Sequence, residues 1–195
     1  MQIVKAVSVL SVVCVMFLLT GTGCQRVSTD ESQAAITYPP PIMVIIGDST
    51  VCNWPQKDVR RGWGQFIQDY FAESMVIINK ARSGRSTKTF IHEGLWKEVL
   101  DMKPDYILIQ FGHNDSPAPE RPEATNANTD YQAYLRQYND ESRQMGAIPI
   151  LVTPMYRRIF NEAGRINDNL LPYADAMKQV AKDKNVPLVD LNAAS

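Results

Sequence analysis

The sequence contains few of the residues that build cross-links, metal sites or strongly charged surfaces. Its 195 residues include three cysteines and two histidines, and the formal net charge is −1. A charge so close to zero provides no basic surface for nucleic acid, so we expect no nucleic-acid partner. It is compatible with a neutral glycan or a small ester. The length predicts one domain plus an extension.

The sequence also lacks an apolar run long enough to span a membrane comfortably. The run over residues 6–19 follows Lys5 and predicts a signal peptide over residues 1–24. It ends in Gly21-Thr22-Gly23-Cys24, which resembles a bacterial lipobox, although Gly21 stands where an aliphatic residue is usual. We therefore predict an exported protein that is lipidated at Cys24 and held at the outer membrane or cell surface. The alternative is cleavage to a soluble periplasmic or secreted form.

Residues 25–41 are polar and end in three prolines, which predicts an extended tether ahead of a domain over residues 42–195. Cys14 would leave with the signal peptide, so Cys52 is the one cysteine of the domain. No internal disulfide is then available, and the fold must depend on its hydrophobic core. We interpret Cys52 as a small buried residue rather than a nucleophile.

From residue 42 onward, continuous apolar runs alternate with segments of helical spacing. The runs predict strands over residues 42–46, 75–78, 106–111, 148–152 and 186–191. Helices are predicted over residues 62–72, 92–102, 129–145 and 170–184, and an exposed loop over 116–128. This order predicts an α/β fold with a three-layer, doubly wound parallel sheet of five strands in the order 2-1-3-4-5.

A short polar motif follows each of the first three predicted strands. The motifs are Gly47-Asp48-Ser49-Thr50, Gly84-Arg85-Ser86 and Gly112-His113-Asn114-Asp115. In the predicted order these strands are neighbours, about 4.8 Å apart, with Ser49 on the middle one. Ligands of such sheets bind outside the carboxyl ends of the strands, so we expect the three motifs to converge on one site.

The residue types of these motifs suit acyl transfer. A serine hydroxyl attacks an ester once a base removes its proton, and the resulting oxyanion needs fixed donors. Glycine leaves a backbone N–H accessible to substrate, and an asparagine side chain adds a further donor. Each motif alone is weak, because Asp and Ser after a strand also cap the following helix.

In combination the motifs resemble the SGNH (GDSL-type) hydrolases, and most of all their rhamnogalacturonan acetylesterase branch. The resemblance runs from residue 42 to residue 195 and also includes Gly62-Trp63-Gly64, Thr153-Pro154 and Arg157-Arg158. It implies a flavodoxin-like fold and removal of acetyl groups from pectic or related plant polysaccharides, without metal or organic cofactor. It also implies Ser49 as nucleophile, with the backbone N–H groups of Ser49 and Gly84 and the Asn114 side chain as oxyanion hole.

The chain departs from this family in its histidines. The family's catalytic Asp and His come from an Asp-x-x-His motif after the fifth strand, and this sequence contains no such motif. Its histidines are His92, interpreted as structural, and His113, which lies inside the third motif. We therefore predict an esterase cut short before its acid/base motif, with activity near background. The alternatives are a lipid or small-ester esterase and a non-catalytic glycan-binding remnant.

Other polar residues are assigned supporting roles. Asp48 is predicted to form the turn beside Ser49, and Asp115 to hold the Asn114 loop. Arg85, Arg157 and Arg158 are candidates for binding uronate carboxylates, with structural ion pairs as the equal alternative. Trp63 is expected in the core. We expect a monomer that contacts membrane only through its N-terminal lipid anchor.

Overall fold

The apolar runs form a parallel sheet of five strands. The computed structural model describes residues 39–195. The strands are β1 (Ile42–Gly47), β2 (Val76–Asn79), β3 (Tyr106–Gln110), β4 (Ile148–Val152) and β5 (Leu188–Val189). They are ordered β2-β1-β3-β4-β5 and every pairing is parallel, so the predicted order is confirmed.

Within residues 39–195, five helices connect or follow these strands. They are α1 (Thr87–His92), α2 (Leu95–Asp101), α3 (Asp130–Gln144), α4 (Leu171–Lys184) and α5 (Leu191–Ala194). The predicted helices over residues 129–145 and 170–184 thus correspond to α3 and α4. α5 begins directly after Asp190, whose carboxylate accepts a hydrogen bond from the N–H of Ala193 at 3.2 Å.

Strand β1 is buried on both faces, as its continuous apolar run indicates. Val44 and Ile46 belong to the larger core cluster, which includes side chains of α1 to α4. Met43 and Ile45 belong to a smaller cluster on the opposite face, where α5 and the segment after β1 contribute. The two clusters hold β1 at the centre of the molecule and place its carboxyl end at the edge where the motifs follow.

The predicted helix over residues 62–72 is wrong. The segment forms two short 3₁₀ turns, Trp63–Gln65 and Ile67–Tyr70. Gly62 packs against the backbone: a Cβ atom there would lie 2.2 Å from the carbonyl oxygen of Cys52. This close packing fixes the segment to the turn after β1, and Tyr70 is left 84% exposed instead of facing a core.

The predicted helix over residues 92–102 begins earlier and is interrupted. Ser86 caps α1, because its hydroxyl accepts a hydrogen bond from the N–H of Thr89. Gly94 has a φ of +80°, a left-handed conformation that glycine adopts without strain, and it separates α1 from α2.

Candidate active site

Ser49 lies on the turn that follows β1, at the carboxyl edge of the sheet. The turn begins at Gly47, where a Cβ atom would lie 2.6 Å from the carbonyl oxygen of Gln110 and 2.7 Å from Cγ2 of Val51. Only glycine therefore allows the chain to turn so close to β3. Ser49 is half-buried and lines a cleft of about 630 Å³.

Asp48 holds the shape of this turn from inside the protein. It is fully buried, and its Oδ1 accepts hydrogen bonds from the backbone N–H and the hydroxyl of Thr50, each at 2.8 Å. Its carbonyl oxygen accepts the N–H groups of Val51 at 3.2 Å and Cys52 at 3.0 Å. This geometry is what the turn-forming role expected of Asp48 requires.

Two side-chain hydrogen bonds connect the same turn to β3. The indole N–H of Trp63 donates to Oε1 of Gln110 at 2.7 Å. The Nε2 group of Gln110 donates to the hydroxyl of Thr50, also at 2.7 Å. Gln110 is fully buried. Sequence reasoning missed it, although a glutamine ending an otherwise apolar strand is a usable signal.

Cys52 lies beneath the turn and is 5% exposed, so it is buried as predicted. Burial raises the pKa of its thiol, and the negative charge of Asp48 raises it further. A raised pKa reduces the thiolate fraction, and the thiolate is the nucleophilic form of cysteine. These surroundings favour a packing role for Cys52.

Backbone hydrogen bonds carry the loop after β2 along the Ser49 turn. The N–H of Arg82 donates to the carbonyl oxygen of Gly47 at 2.9 Å, and Ser83 lines the same cleft as Ser49. Gly84 follows, with a φ of +80° and its backbone exposed. Within residues 39–195 its N–H donates to no acceptor, so it is available to a ligand.

Asn114 reaches across from the loop after β3. Its Nδ2 group donates to the carbonyl oxygen of Arg85 at 3.0 Å, one residue from Gly84. A carboxamide has two N–H donors, so one remains for a ligand. The structure thus brings the loops carrying Ser49, Gly84 and Asn114 together at one edge of the sheet.

Asp115 anchors the Asn114 loop in the core. Its buried carboxylate accepts hydrogen bonds from the backbone N–H and the hydroxyl of Thr87, at the start of α1, and from the hydroxyl of Thr125 at 3.0 Å. Burial raises the pKa of Asp115 to about 7, although these hydrogen bonds act to lower it. Thr125 is itself buried, so the predicted exposed loop over residues 116–128 is exposed only in part.

The two histidines lie in different surroundings. Nδ1 of the buried His113 lies 3.6 Å from Oδ2 of Asp48, too far for a hydrogen bond, and neither atom has a hydrogen-bond partner within residues 39–195. His92 is exposed at the end of α1, where its Nε2 lies 3.3 Å from the hydroxyl of Tyr134. In the described part of the chain, no hydrogen bond joins either ring to Ser49.

Comparison with known proteins agrees with this geometry. The GDSL-like Lipase/Acylhydrolase family matches residues 45–195. The chain belongs to this family. The predicted SGNH resemblance is therefore confirmed, and with it the α/β fold class.

Individual relatives of this GDSL chain are named as acetylesterases. It is 41% identical over 157 residues to rhamnogalacturonan acetylesterase RhgT of Bacillus subtilis, covering 78% of this chain and 66% of that one. It is 39% identical over 149 residues to the probable rhamnogalacturonan acetylesterase YesY of the same organism, covering 75% and 68%. The chain thus spans about two thirds of the length of these relatives.

A solved structure shows the same architecture. The crystal structure of protein YXIM from Bacillus subtilis superimposes with a TM-score of 0.69 at 28% identity. The superposition covers 78% of this chain and 44% of that one.

The arginines predicted to bind carboxylates have protein partners in this GDSL domain. Nε of Arg85 donates to Glu93 at 2.8 Å. Nη2 of Arg157 donates to the carbonyl oxygen of His113 and to the hydroxyl of Ser116, so this side chain braces the loop that carries Asn114. These contacts favour the structural alternative for both residues. Arg158 is exposed, and its substrate role stays a prediction.

Several further predictions are not tested by this structure. Cys24 and the predicted signal peptide lie outside the described residues. No helix among residues 39–195 is long and apolar enough to cross a bilayer. The same residues contain no cluster of three or more His, Cys, Asp or Glu side chains arranged to hold a metal ion. The expectation of no cofactor stays a prediction.

Proposed function

We propose that this chain carries the nucleophile and oxyanion hole of a serine acetylesterase that acts on acetylated pectic polysaccharide of the rhamnogalacturonan type. The observation that carries the proposal is the hydrogen bond from Asn114 to the carbonyl oxygen of Arg85. It holds a carboxamide one residue from Gly84, whose N–H donates to no acceptor within residues 39–195. The names of the relatives support the acetyl group and the glycan.

The proposed reaction begins at Ser49. Its Oγ forms a bond to the acetyl carbonyl carbon while a base takes the hydroxyl proton, and the carbonyl oxygen becomes an oxyanion. The N–H groups of Ser49 and Gly84 and the remaining Nδ2 hydrogen of Asn114 stabilise that oxyanion. The sugar oxygen leaves with the proton, and water then releases acetate from the acyl-enzyme.

The base is the missing component of this proposal. Residues 1–195 contain no Asp-x-x-His motif, and neither histidine is placed against Ser49. In subtilisin, loss of the triad histidine alone costs roughly 10⁶ in kcat, while the oxyanion hole and binding retain ~10³–10⁴ over water. We therefore expect slow turnover from these residues.

Acetate release from acetylated rhamnogalacturonan tests the function. The full chain should release acetate slowly but faster than a Ser49→Ala variant, and it should prefer acetyl esters to octanoyl esters of p-nitrophenol. Equal rates for the full chain and the variant would remove Ser49 from the mechanism. A preference for octanoyl esters would instead support the lipid-esterase alternative.

A glycan-binding role without catalysis is the second candidate, and the absence of a placed base favours it. Binding of the polysaccharide with no Ser49-dependent release of acetate would support this candidate. For either role we propose export, with a lipid anchor at Cys24 as the membrane contact and a monomer as the working unit.

A further inference from the structure

The cleft beside Ser49 contains two arginines that the catalytic proposal does not use. Its lining includes Arg60 and Arg61 together with the aromatic side chains of Trp54, Trp63 and Phe66. Phe66 is 46% exposed. Aromatic faces with cations beside them are suited to sugars that carry a negative charge.

Arg60 is neutralised within the protein. Its Nε and Nη2 groups donate to the two carboxylate oxygens of Asp58 at 3.0 and 2.8 Å, and its guanidinium lies 3.7 Å from the ring centroid of Trp54. The hydrogen bond from Arg60 lowers the pKa of Asp58 to about 2, so the carboxylate stays charged at neutral pH. Arg60 therefore positions Trp54 and Asp58 and contributes little net charge.

Arg61 is positioned without being neutralised. Its guanidinium donates to the backbone carbonyl oxygens of Gln56, Asp58 and Arg60. None of the ion pairs among residues 39–195 includes Arg61. Carbonyl oxygens fix the orientation of the group but do not cancel its charge. Three of its five N–H donors are used, so two remain for a ligand.

A cavity that neighbours the Ser49 cleft contains a second cation. Trp54 and Ser83 line both this cleft and a neighbouring cavity of about 580 Å³. Arg82 also lines that cavity; it is exposed and forms no ion pair within the described residues. A substrate that extends from the Ser49 cleft into this cavity would therefore meet positive charge in both.

We propose that Arg61 is the residue that recognises a substrate carboxylate in the Ser49 cleft, which makes it the determinant of preference for acidic over neutral glycans. The proposal rests on the proposed function for the identity of the cleft, but it concerns binding and not turnover. A guanidinium that lines a cleft and keeps free N–H donors suits a carboxylate better than a neutral sugar hydroxyl.

Binding of trigalacturonate and of its neutral methyl ester to the full chain, followed by calorimetry, tests this assignment. Neither ligand carries an acetyl group, so failure of the esterase proposal would not affect the result. We expect the acid to bind about tenfold more tightly than the ester, corresponding to about 1.4 kcal/mol. Raising the salt concentration from about 0.05 M to about 0.5 M should reduce this preference, because salt screens exposed charges.

Two substitutions distinguish recognition of the carboxylate by Arg61 from a role of Arg61 in the structure of its loop. Arg61→Gln should abolish the preference for the acid and leave methyl ester binding unchanged. Lys182→Gln, which removes one positive charge from the exposed face of α4, should keep the preference. Equal binding of acid and ester by the unmodified chain, binding of neither, or a preference that survives in Arg61→Gln would overturn the proposal. If Arg61→Gln weakened the binding of the acid and of the ester equally, the proposal would also be overturned, because Arg61 would then only hold its loop.

Discussion

At the scale of single residues, Gly84 and Gly94 share a conformation but not a location. Both have a φ of +80°, and a Cβ atom on either would meet nothing within 4 Å. Alanine at either position should cost about 1–2 kcal/mol of the free energy of unfolding, because left-handed backbone is strained for other residues. Gly84 precedes Arg85, whose carbonyl oxygen accepts the hydrogen bond from Asn114, whereas Gly94 separates α1 from α2.

We therefore expect Gly84→Ala to slow the reaction of Ser49 with a serine-reactive phosphonate by about tenfold or more, since a hindered oxyanion-hole donor loses much of its effect. Gly94→Ala is the matched control and should react as the unmodified chain does. Urea unfolding of both variants measures the common strain. Equal slowing in the two variants would show that strain, and not the donor, controls the reaction.

Asp115 should make the free energy of unfolding depend measurably on pH. Burial raises its pKa from 3.8 to about 7. Between these values the folded protein binds more protons than the unfolded chain, so its free energy of unfolding falls as pH rises, by at most about 1.4 kcal/mol per pH unit from this group. The contribution is fully present below the unfolded pKa and is lost as pH passes the folded pKa.

Asp115→Asn removes this titration while keeping one oxygen acceptor for Thr87. The free energy of unfolding of the unmodified chain minus that of the variant should decrease from about pH 4 to about pH 7 and level off above. Urea unfolding across that range provides the measurement. A difference that grows with pH would mean that Asp115 is a stabilising carboxylate instead.

At the scale of elements, the turn after β1 depends on a side chain from β3. Gln110 accepts from the indole of Trp63 and donates to Thr50, so Gln110→Leu leaves the indole N–H of the half-buried Trp63 without its acceptor. We expect a loss of about 1–3 kcal/mol in the free energy of unfolding. In a Trp63→Phe background the same substitution should cost less, because the N–H is already gone. Additive costs in this double-mutant cycle would contradict the coupling.

Some of the secondary-structure elements could be predicted from the sequence alone. Strands β1 and β3 follow continuous apolar runs that are buried on both faces, and β4 follows one that is buried except at its start, so the local pattern is sufficient to predict them. The segment over residues 62–72 has helical spacing but packs through Gly62 against Cys52, ten residues earlier. Its conformation depends on that contact between separate segments, which a periodicity of apolar residues does not encode. For the same reason, the sequence pattern does not predict that Arg61 lines the cleft beside Ser49.

At the scale of the whole molecule, the strand order accounts for the site. β1 lies between β2 and β3, so the residues after these three strands share one edge. The sequence predicts Ser49, Gly84 and Asn114 at this edge because each lies in the loop that follows one of these strands. The partners of Arg157 could not be predicted, since they lie 44 and 41 residues away in sequence. The assignments over residues 1–38, including lipidation of Cys24, stay predictions.

Imidazole-dependent phosphonate labelling of the full chain tests whether Ser49 is the nucleophile of an acyl-transfer site. We predict a phosphonyl adduct on Ser49 that forms slowly without added base, forms faster when free imidazole supplies the base, and is absent from Ser49→Ala. No Ser49 adduct even with imidazole, or equal labelling of Ser49→Ala, would contradict the claim that these three loops build an acyl-transfer site.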